Sequence, residues 1–402
     1  MEKLYILVQF TLKHVLQTGN AWWHYFNQFK ASIPHHVVEN IVRLMSCGQH
    51  ITGYTRYECE KRCGHIMTLC FTCKSRLCPS CGKKATEQWI AKQNAMLPKC
   101  DYQHVTYTMP AALWPFFKAS RKLLNRLSKL AADTLIKAAH KKKTIVGIFT
   151  ALHTFGRDLK WNCHIHLSVT RGGLSLDLKR WKDIFFKSQN TMKMWRYAVI
   201  DLLRQEYKAG NLEIPYQYQS QVHNLRGLNR ILNTEYQKGW HVYFAAKQTD
   251  YKQNVNYLGR YLKRPPIAQS RLKHYDGTNV VFEFLDHKDK RHKHFHCTAF
   301  EFIERLIQHI PAKSFKMVRY YGVLSFRTRG KLLQIIYKLL GQVVTEPKKI
   351  TYADLFKGFL REDPFKCIVC GARMVVQKIK KRARLSKIME HHEALATMQW
   401  IR

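Results

Sequence analysis

Three groups of residues in this chain of 402 have types and spacings suited to chemistry. The first is HTFGRDLKWNCHIHLSVT, residues 153–170. Alternate residues of a strand share a face, so His164 and His166 point one way while Ile165 and Leu167 point into a core. His153 precedes them across a predicted hairpin and can stand beside the pair. Three imidazoles on one sheet face could hold one divalent ion with positions open for a substrate oxygen. Taken singly, each is as readily a packed or hydrogen-bonded strand histidine. The second group is YLGRYLKRPP, residues 257–266. Four residues make just over one helical turn, so Tyr257 and Tyr261 stack on one face of a helix that Pro265 and Pro266 end. Such phenols are either half of a core stripe or two nucleophiles on one face. Arg260, Lys263 and Arg264 bracket them and are candidate phosphate contacts.

The third group is CEKRCGHIMTLCFTCKSRLCPSC, residues 59–81. It pairs Cys59 with Cys63, Cys70 with Cys73 and Cys78 with Cys81, and places His65 beside them. Thiolates two to four residues apart on tight turns suit tetrahedral Zn²⁺, and Gly64, Pro79 and Gly82 supply the turns. Spacing does not decide which four share an ion. Cys59, Cys63, Cys78 and Cys81 are favoured, Cys73 and His65 come next, and a second ion could recruit Cys47 and Cys70. Lys74, Ser75 and Arg76, interleaved among the thiols, form either a phosphate-contacting turn or a solvated one.

These groups need elements to position them. Residues 1–45 are predicted helical, 47–82 loop-like, and 84–97 a helix ended by Pro98. YQHVTYTMP at 102–110 alternates and is rich in β-branched and aromatic residues, as a strand is. A long basic helix is expected over about 112–141, then two strands joined by GRDLKWN, helix over roughly 178–208, and a strand at WHVYFAAK. The tyrosine helix, a strand at NVVFEFLDH and a helix at AFEFIERLIQHI follow. That order describes an α+β domain whose antiparallel sheet carries helices. The expected domains are a helical segment 1–45, a cysteine-rich zinc-binding domain 46–98, a central domain 99–311 and a basic C-terminal region 312–402.

Composition narrows the partner. Lys and Arg total 68 against 27 for Asp and Glu, a net charge of +41. Self-repulsion on that scale persists where a polyanion covers the surface, and phosphate backbones are the expected one. The basic residues run the whole length, not along one amphipathic helix, which argues against a membrane surface. No stretch approaches the roughly 20 apolar residues of a membrane span. The first residues carry Glu2, Gln9 and Lys13 and lack a small-residue cleavage site, unlike a secretion signal. Cysteines at metal-like spacing indicate a reducing compartment.

Four stretches together carry a resemblance: CKSRLCPSCG at 73–82, HTFGRDLKWNCHIHLSVTRGG at 153–173, YLGRYLKRPPI at 257–267 and HIPAKSFKMVRYYGVLS at 309–325. In this order the chain resembles the two-tyrosine rolling-circle transposases of the HUH superfamily, in particular the insertion-sequence-91 family. The resemblance implies a five-stranded antiparallel HUH core with flanking helices. It makes His164 and His166 ligands of a catalytic Mg²⁺ or Mn²⁺, and Tyr257 and Tyr261 the nucleophiles. The spacing of His153 to His164 is similar to the three-histidine site of conjugative relaxases, which implies His153 as third ligand. Cys163 stands where such proteins often have proline. The implied activity is transposition: a transposon end is nicked, its 5′ end is held on tyrosine, and the single strand is transferred to a target. The implied partner is single-stranded DNA, in the cytoplasm at the nucleoid.

Two C-terminal features stay open. Cys367-x2-Cys370-Gly371 is half a zinc ribbon with no second pair after it, either a metal-free knuckle or a site completed from elsewhere. KIKKRARLSK at 378–387 is a DNA-contacting tail or a solvated face. Tyr321 reads as a structural aromatic. A non-catalytic zinc-dependent nucleic-acid-binding regulator accounts equally for charge and cysteines, but not for H-x-H with paired tyrosines.

Overall fold

The computed structural model describes residues 10–245, 255–256, 259, 265–286, 289–344, 346–347 and 350–398. The chain begins with three helices, α1 (Leu12–Gln17), α2 (Ala21–Phe29) and α3 (His35–Met45). Thr11 caps α1 by accepting the His14 amide, and Pro34 precedes α3, where its missing N–H costs nothing. Strands β1 (Tyr54–Cys59) and β2 (Ile66–Cys70) follow as an antiparallel hairpin, and α4 runs from Pro79 to Met96. The expected loop over 47–82 is therefore partly sheet. Its polar alternation (YTRYEC, IMTLC) was hidden among the cysteines.

The central sheet contains β3 (Tyr102–Tyr107), β4 (Thr144–Phe155), β5 (Trp161–Ser175), β6 (Trp181–Asp183) and β7 (Val242–Phe244). Its helices are α5 (Trp114–Ala119), α6 (Leu124–Lys141), α7 (Ser188–Lys208) and α8 (Leu225–Gln237). The helix expected over 112–141 is interrupted at Ser120, which leaves helical geometry (φ −89°, ψ 66°) and accepts the Glu213 amide on Oγ at 2.8 Å. Between β4 and β5 the chain turns in residues 156–160, closed by Gly156 N–H to Lys160 O at 2.9 Å.

Farther on, β8 (Leu272–Tyr275), β9 (Asn279–Leu285) and β10 (His292–Thr298) form a separate three-stranded sheet. The strand expected at NVVFEFLDH thus lies outside the central sheet. Its Val280 and Phe282 pack with Phe302 and Ile303 of the helix Ala299–Ile307 and with the N-terminal helices. The last strands are β11 (Val318–Gly322) and β12 (Met374–Lys380). β11 is the edge of the central sheet beside β4, and β12 pairs with β1. Residues expected in a separate C-terminal region are thus woven into both earlier units.

The central sheet runs β11-β4-β5-β3-β7, with β6 against β5, and its pairings are antiparallel. One face buries Val105, Tyr107, Ile165 and Leu167 against Leu127 and Leu135 of α6, Trp195 of α7 and Leu228 of α8. The other packs Tyr102, Phe149 and Ala151 against Trp89 of α4, Val255, and Leu333 and Ile336 of the helix Arg329–Leu339. The fold is α+β with antiparallel sheets, and a cysteine-rich unit contributes a helix to its central layer.

Candidate active site and metal centres

Strand register builds the histidine group. His153 on β4 is directly opposite His164 on β5, and Ala151 is opposite His166. The three side chains therefore share one face, as alternation requires. His153 is buried, and the ligand nitrogens of His153, His164 and His166 lie within 4.8 Å of one another. His164 Nε2 and His166 Nε2 are 3.1 Å apart. Two nitrogens about 2.1 Å from one ion and at right angles would stand about 3 Å apart, so the donors fit a divalent ion. Burial lowers the affinity of His164 and His166 for protons, and the neighbouring rings lower His166 further. Neutral rings keep a lone pair for a metal.

The outer nitrogens are also engaged. His164 Nδ1 donates to the Asn162 carbonyl at 2.9 Å. His166 Nδ1 faces His104 Nε2 at 3.2 Å, and the two rings stack at 5.3 Å. His104 is buried, has its pKa pushed down to about 4 mainly by that burial, and hydrogen-bonds the Leu167 carbonyl. Such contacts fix which nitrogen of a ligand ring faces the ion. Sequence reasoning missed His104, although the signal was present. In YQHVTYT, His104 and Thr106 share a face, and Thr106 pairs with His166.

Tyr257, Tyr261, Arg260, Lys263 and Arg264 lie outside the described residues. Their neighbours Val255 and Gly259 are helical. Val255 is buried against Trp89 and Phe149, on the same side of the sheet as the histidines. A Cβ on Gly259 would meet Ile90 Cγ1 at 2.4 Å, so glycine is required for this close approach to α4. Tyr320, on β11, accepts from Trp89 Nε1 at 3.1 Å and donates to Gln93 at 3.2 Å, which ties α4 to the sheet. Tyr321 is half-buried beside the other core, in keeping with a structural aromatic.

The thiols gather differently from the favoured set. Cys47, Cys73, Cys78 and Cys81 converge, with Sγ separations of 3.5 Å for Cys73–Cys81 and 3.7 Å from Cys47 to both Cys78 and Cys81. A tetrahedral Zn²⁺ with bonds of about 2.3 Å sets sulfurs about 3.8 Å apart, so this tetrad fits. Cys59 and Cys63 do not join Cys78 and Cys81; they stand at the end of β1 and in the turn after it, near Cys367 and Cys370. His65 is no member of either tetrad, but its Nδ1 lies 3.3 Å from Cys367 Sγ. Cys70 ends β2 and belongs to neither. Lys74 is exposed, as a phosphate contact needs, whereas Arg76 is half-buried and pushed down to about 10 by burial. Ser75 is buried, its Oγ accepting the Leu77 amide.

Comparison with known proteins decides the lineage. Residues 18–109 match a family described as a transposase zinc-binding domain, and residues 147–331 match one described as a putative transposase. The transposase for insertion sequence element IS801 of Pseudomonas savastanoi pv. phaseolicola is 38% identical over 395 residues, which are 97% of this chain and 95% of that protein. The chain belongs to the IS91 family of transposases. A putative transposase, y4qJ, of Sinorhizobium fredii (strain NBRC 101917 / NGR234) is 28% identical over 349 residues, 82% of this chain and 84% of that one. No solved structure matches the chain. The first match spans the Cys47 tetrad of this IS91-family chain together with His104, and the second spans the three histidines and both tyrosines. The zinc-binding match and the thiol geometry support Zn²⁺ as the structural ion. Among the described residues no helix is long and apolar enough to cross a membrane.

Proposed function

We propose that this chain is an HUH-type tyrosine endonuclease and strand transferase that moves its element by rolling-circle transposition. The observation that carries the reading is the convergence of His153, His164 and His166 on one sheet face. The antiparallel β11-β4-β5-β3-β7 path with helices packed on it supports an HUH-type core. Val255 and Gly259, flanking Tyr257, pack on the helix covering that same face, which supports delivery of the tyrosines to the histidines.

In this mechanism the phenolic oxygen of one tyrosine attacks the scissile phosphorus of single-stranded DNA at a transposon end. The P–O3′ bond breaks, the phenol gives up its proton, and the leaving 3′ oxygen takes one. The products are a 5′-phosphotyrosine and a free 3′-OH. A later attack by a 3′-OH on the phosphotyrosine reverses the bond change and releases the phenol. A bound Mg²⁺ or Mn²⁺ would polarise the phosphate and offset charge in the transition state. His153, His164 and His166 would hold that ion, with His164 and His166 oriented by Asn162 and His104. Arg260, Lys263, Arg264 and Lys74 bind phosphates. A free phenol has a pKa of about 10, so local cations also assist its ionisation. The protein acts in the cytoplasm at the nucleoid.

The test is an SDS-gel assay with end-labelled single-stranded oligonucleotides tiled across a transposon end, with Mg²⁺ or Mn²⁺. A protease-sensitive covalent adduct is expected, absent with His164→Ala and with the Tyr257→Phe/Tyr261→Phe double variant. A binding shift with no adduct across the tiling would instead assign a non-catalytic zinc-dependent DNA-binding regulator.

A further inference from the structure

We propose that Cys59, Cys63, Cys367 and Cys370 form a second zinc site, split between the two ends of the chain. Their sulfurs lie within 4.8 Å of one another, with Cys59–Cys370 at 3.3 Å and Cys63–Cys367 at 3.4 Å. The pair Cys63 and Cys367 is separated by 304 residues. Cys367 and Cys370 lie beyond both family matches, which end at residues 109 and 331.

The backbone brings the two halves together without help from the thiols. β12 pairs with β1, placing Met374 opposite Cys59 and Val375 opposite Glu58. The Glu60 amide donates to the Arg373 carbonyl at 2.9 Å. The knuckle itself is closed by Cys367 N–H to Ala372 O at 2.7 Å and Gly371 N–H to Cys367 O at 2.9 Å.

The two arms use the same device. Each ends in Cys-Gly, with Gly64 at φ +86° and Gly371 at φ +75°, a backbone conformation that glycine adopts freely. That turn aims the following amide back at the thiol: His65 N–H donates to Cys63 and Ala372 N–H to Cys370. The Val369 and Cys370 amides donate to Cys367, which His65 Nδ1 also faces. Amides and an imidazole directed at clustered sulfurs compensate thiolate charge, and tetrahedral, thiophilic Zn²⁺ is the ion such a set takes. The sulfur separations fall slightly inside the roughly 3.8 Å of a zinc tetrahedron. A tie closing so long a loop removes much chain entropy from the unfolded state. It would hold β12 and the basic run after it against the N-terminal unit.

The test uses the full chain in a His164→Ala background, so that the histidine site does not add metal. Zinc per chain, measured by mass spectrometry of elements after gel filtration, is expected to be two. It should fall to one in Cys367→Ser/Cys370→Ser and to one in Cys59→Ser/Cys63→Ser, the remaining ion reporting an intact Cys47 tetrad. Two zinc ions in either variant would overturn the proposal. Should a variant not fold, the unmutated thiols supply a second reading. Cys63 and Cys370 are exposed, yet they should resist N-ethylmaleimide until a chelator strips the zinc. Equal labelling of both before and after chelation would also overturn it.

Discussion

The two cysteine tetrads each gather four thiols, but in different surroundings. Cys47, Cys73 and Cys78 are part of a large apolar cluster with Ile41, Val42, Leu77, Phe302 and Ile303. Cys59 and Cys367 have a small cluster, with Met374 buried and Tyr57, Met67 and Phe365 partly so, while Cys63 and Cys370 face solvent. An ion in the first position is an element of the core; in the second it is a clasp at an edge. Loss of the core ion would leave the clustered sulfurs, of which Cys47, Cys81 and Cys73 accept the amides of Cys73, Lys74 and Ser75, without the cation that offsets their charge.

The largest expected effect is therefore that of Cys78→Ser. Structural zinc contributes folding free energy outright, and removing this ion should cost more than about 4 kcal/mol. Loss of the cooperative thermal transition, or of soluble protein, is the expected reading. A variant melting within a few degrees of the native protein would break the comparison. Cys370→Ser should cost less, about 2 kcal/mol, with the effect confined to the edge. Hydrogen exchange should accelerate across Met374–Lys380 and leave Pro79–Met96 protected. If exchange rose in both, the tetrads would be one cooperative unit.

How much of this was legible in the sequence follows the same division. Strand alternation placed His153, His164 and His166 on one face because register is a local property of a hairpin. The helix expected over 84–97 and the strand at Tyr102 were legible from local pattern too, although the helix starts earlier, at Pro79. Ligand sharing among the thiols was not, because it depends on β12 returning to β1 from the far end of the chain. Pair spacing could not separate Cys59 and Cys63 from Cys78 and Cys81. The strand at Asn279 was recognisable as a strand, but its sheet was set by the aromatic helices it covers, which no local pattern encodes. His104 illustrates the middle case: its alternation was visible, but its partner lies 62 residues away.

That middle position makes the histidine group a third point in the comparison, local in its ligands and remote in its support. Under the proposed mechanism His104 is a positioning residue, which would act on the ion through His166. His104→Ala should weaken Mn²⁺ binding about 10-fold to 100-fold, as loss of a ligand's outer partner does elsewhere. Titration calorimetry on the full chain reads this without DNA or turnover. His104→Gln, whose carbonyl can accept from His166 Nδ1, should recover most of the affinity. If Gln behaved like Ala while both variants kept the native melting temperature, orientation of His166 would not be what His104 supplies.

The smallest effect concerns a second attachment of the C-terminal end, independent of any ion. The helix Leu385–Met398 packs on α3, and His392 Nε2 lies 2.6 Å from Ser46 Oγ. His392 is 3% exposed. Burial pushes its pKa down to about 4, and His391 on its own helix and Lys13 on α1 push in the same direction. Above the ordinary histidine value of about 6.5, docked and undocked helix are both neutral, and the attachment has its full strength. As pH falls from there toward 4, the undocked helix takes up a proton that the docked one refuses, so stability is lost. Between pH 7 and pH 5.5 the loss from this one group is about 1 kcal/mol. Other buried histidines titrate over the same range, so the informative quantity is a difference. The melting temperature of the native protein should fall more over this interval than that of His392→Gln. Equal falls would mean that the C-terminal helix is held by the clasp and its apolar contacts alone, which would make the edge tetrad, not the His392 contact, the tie that matters.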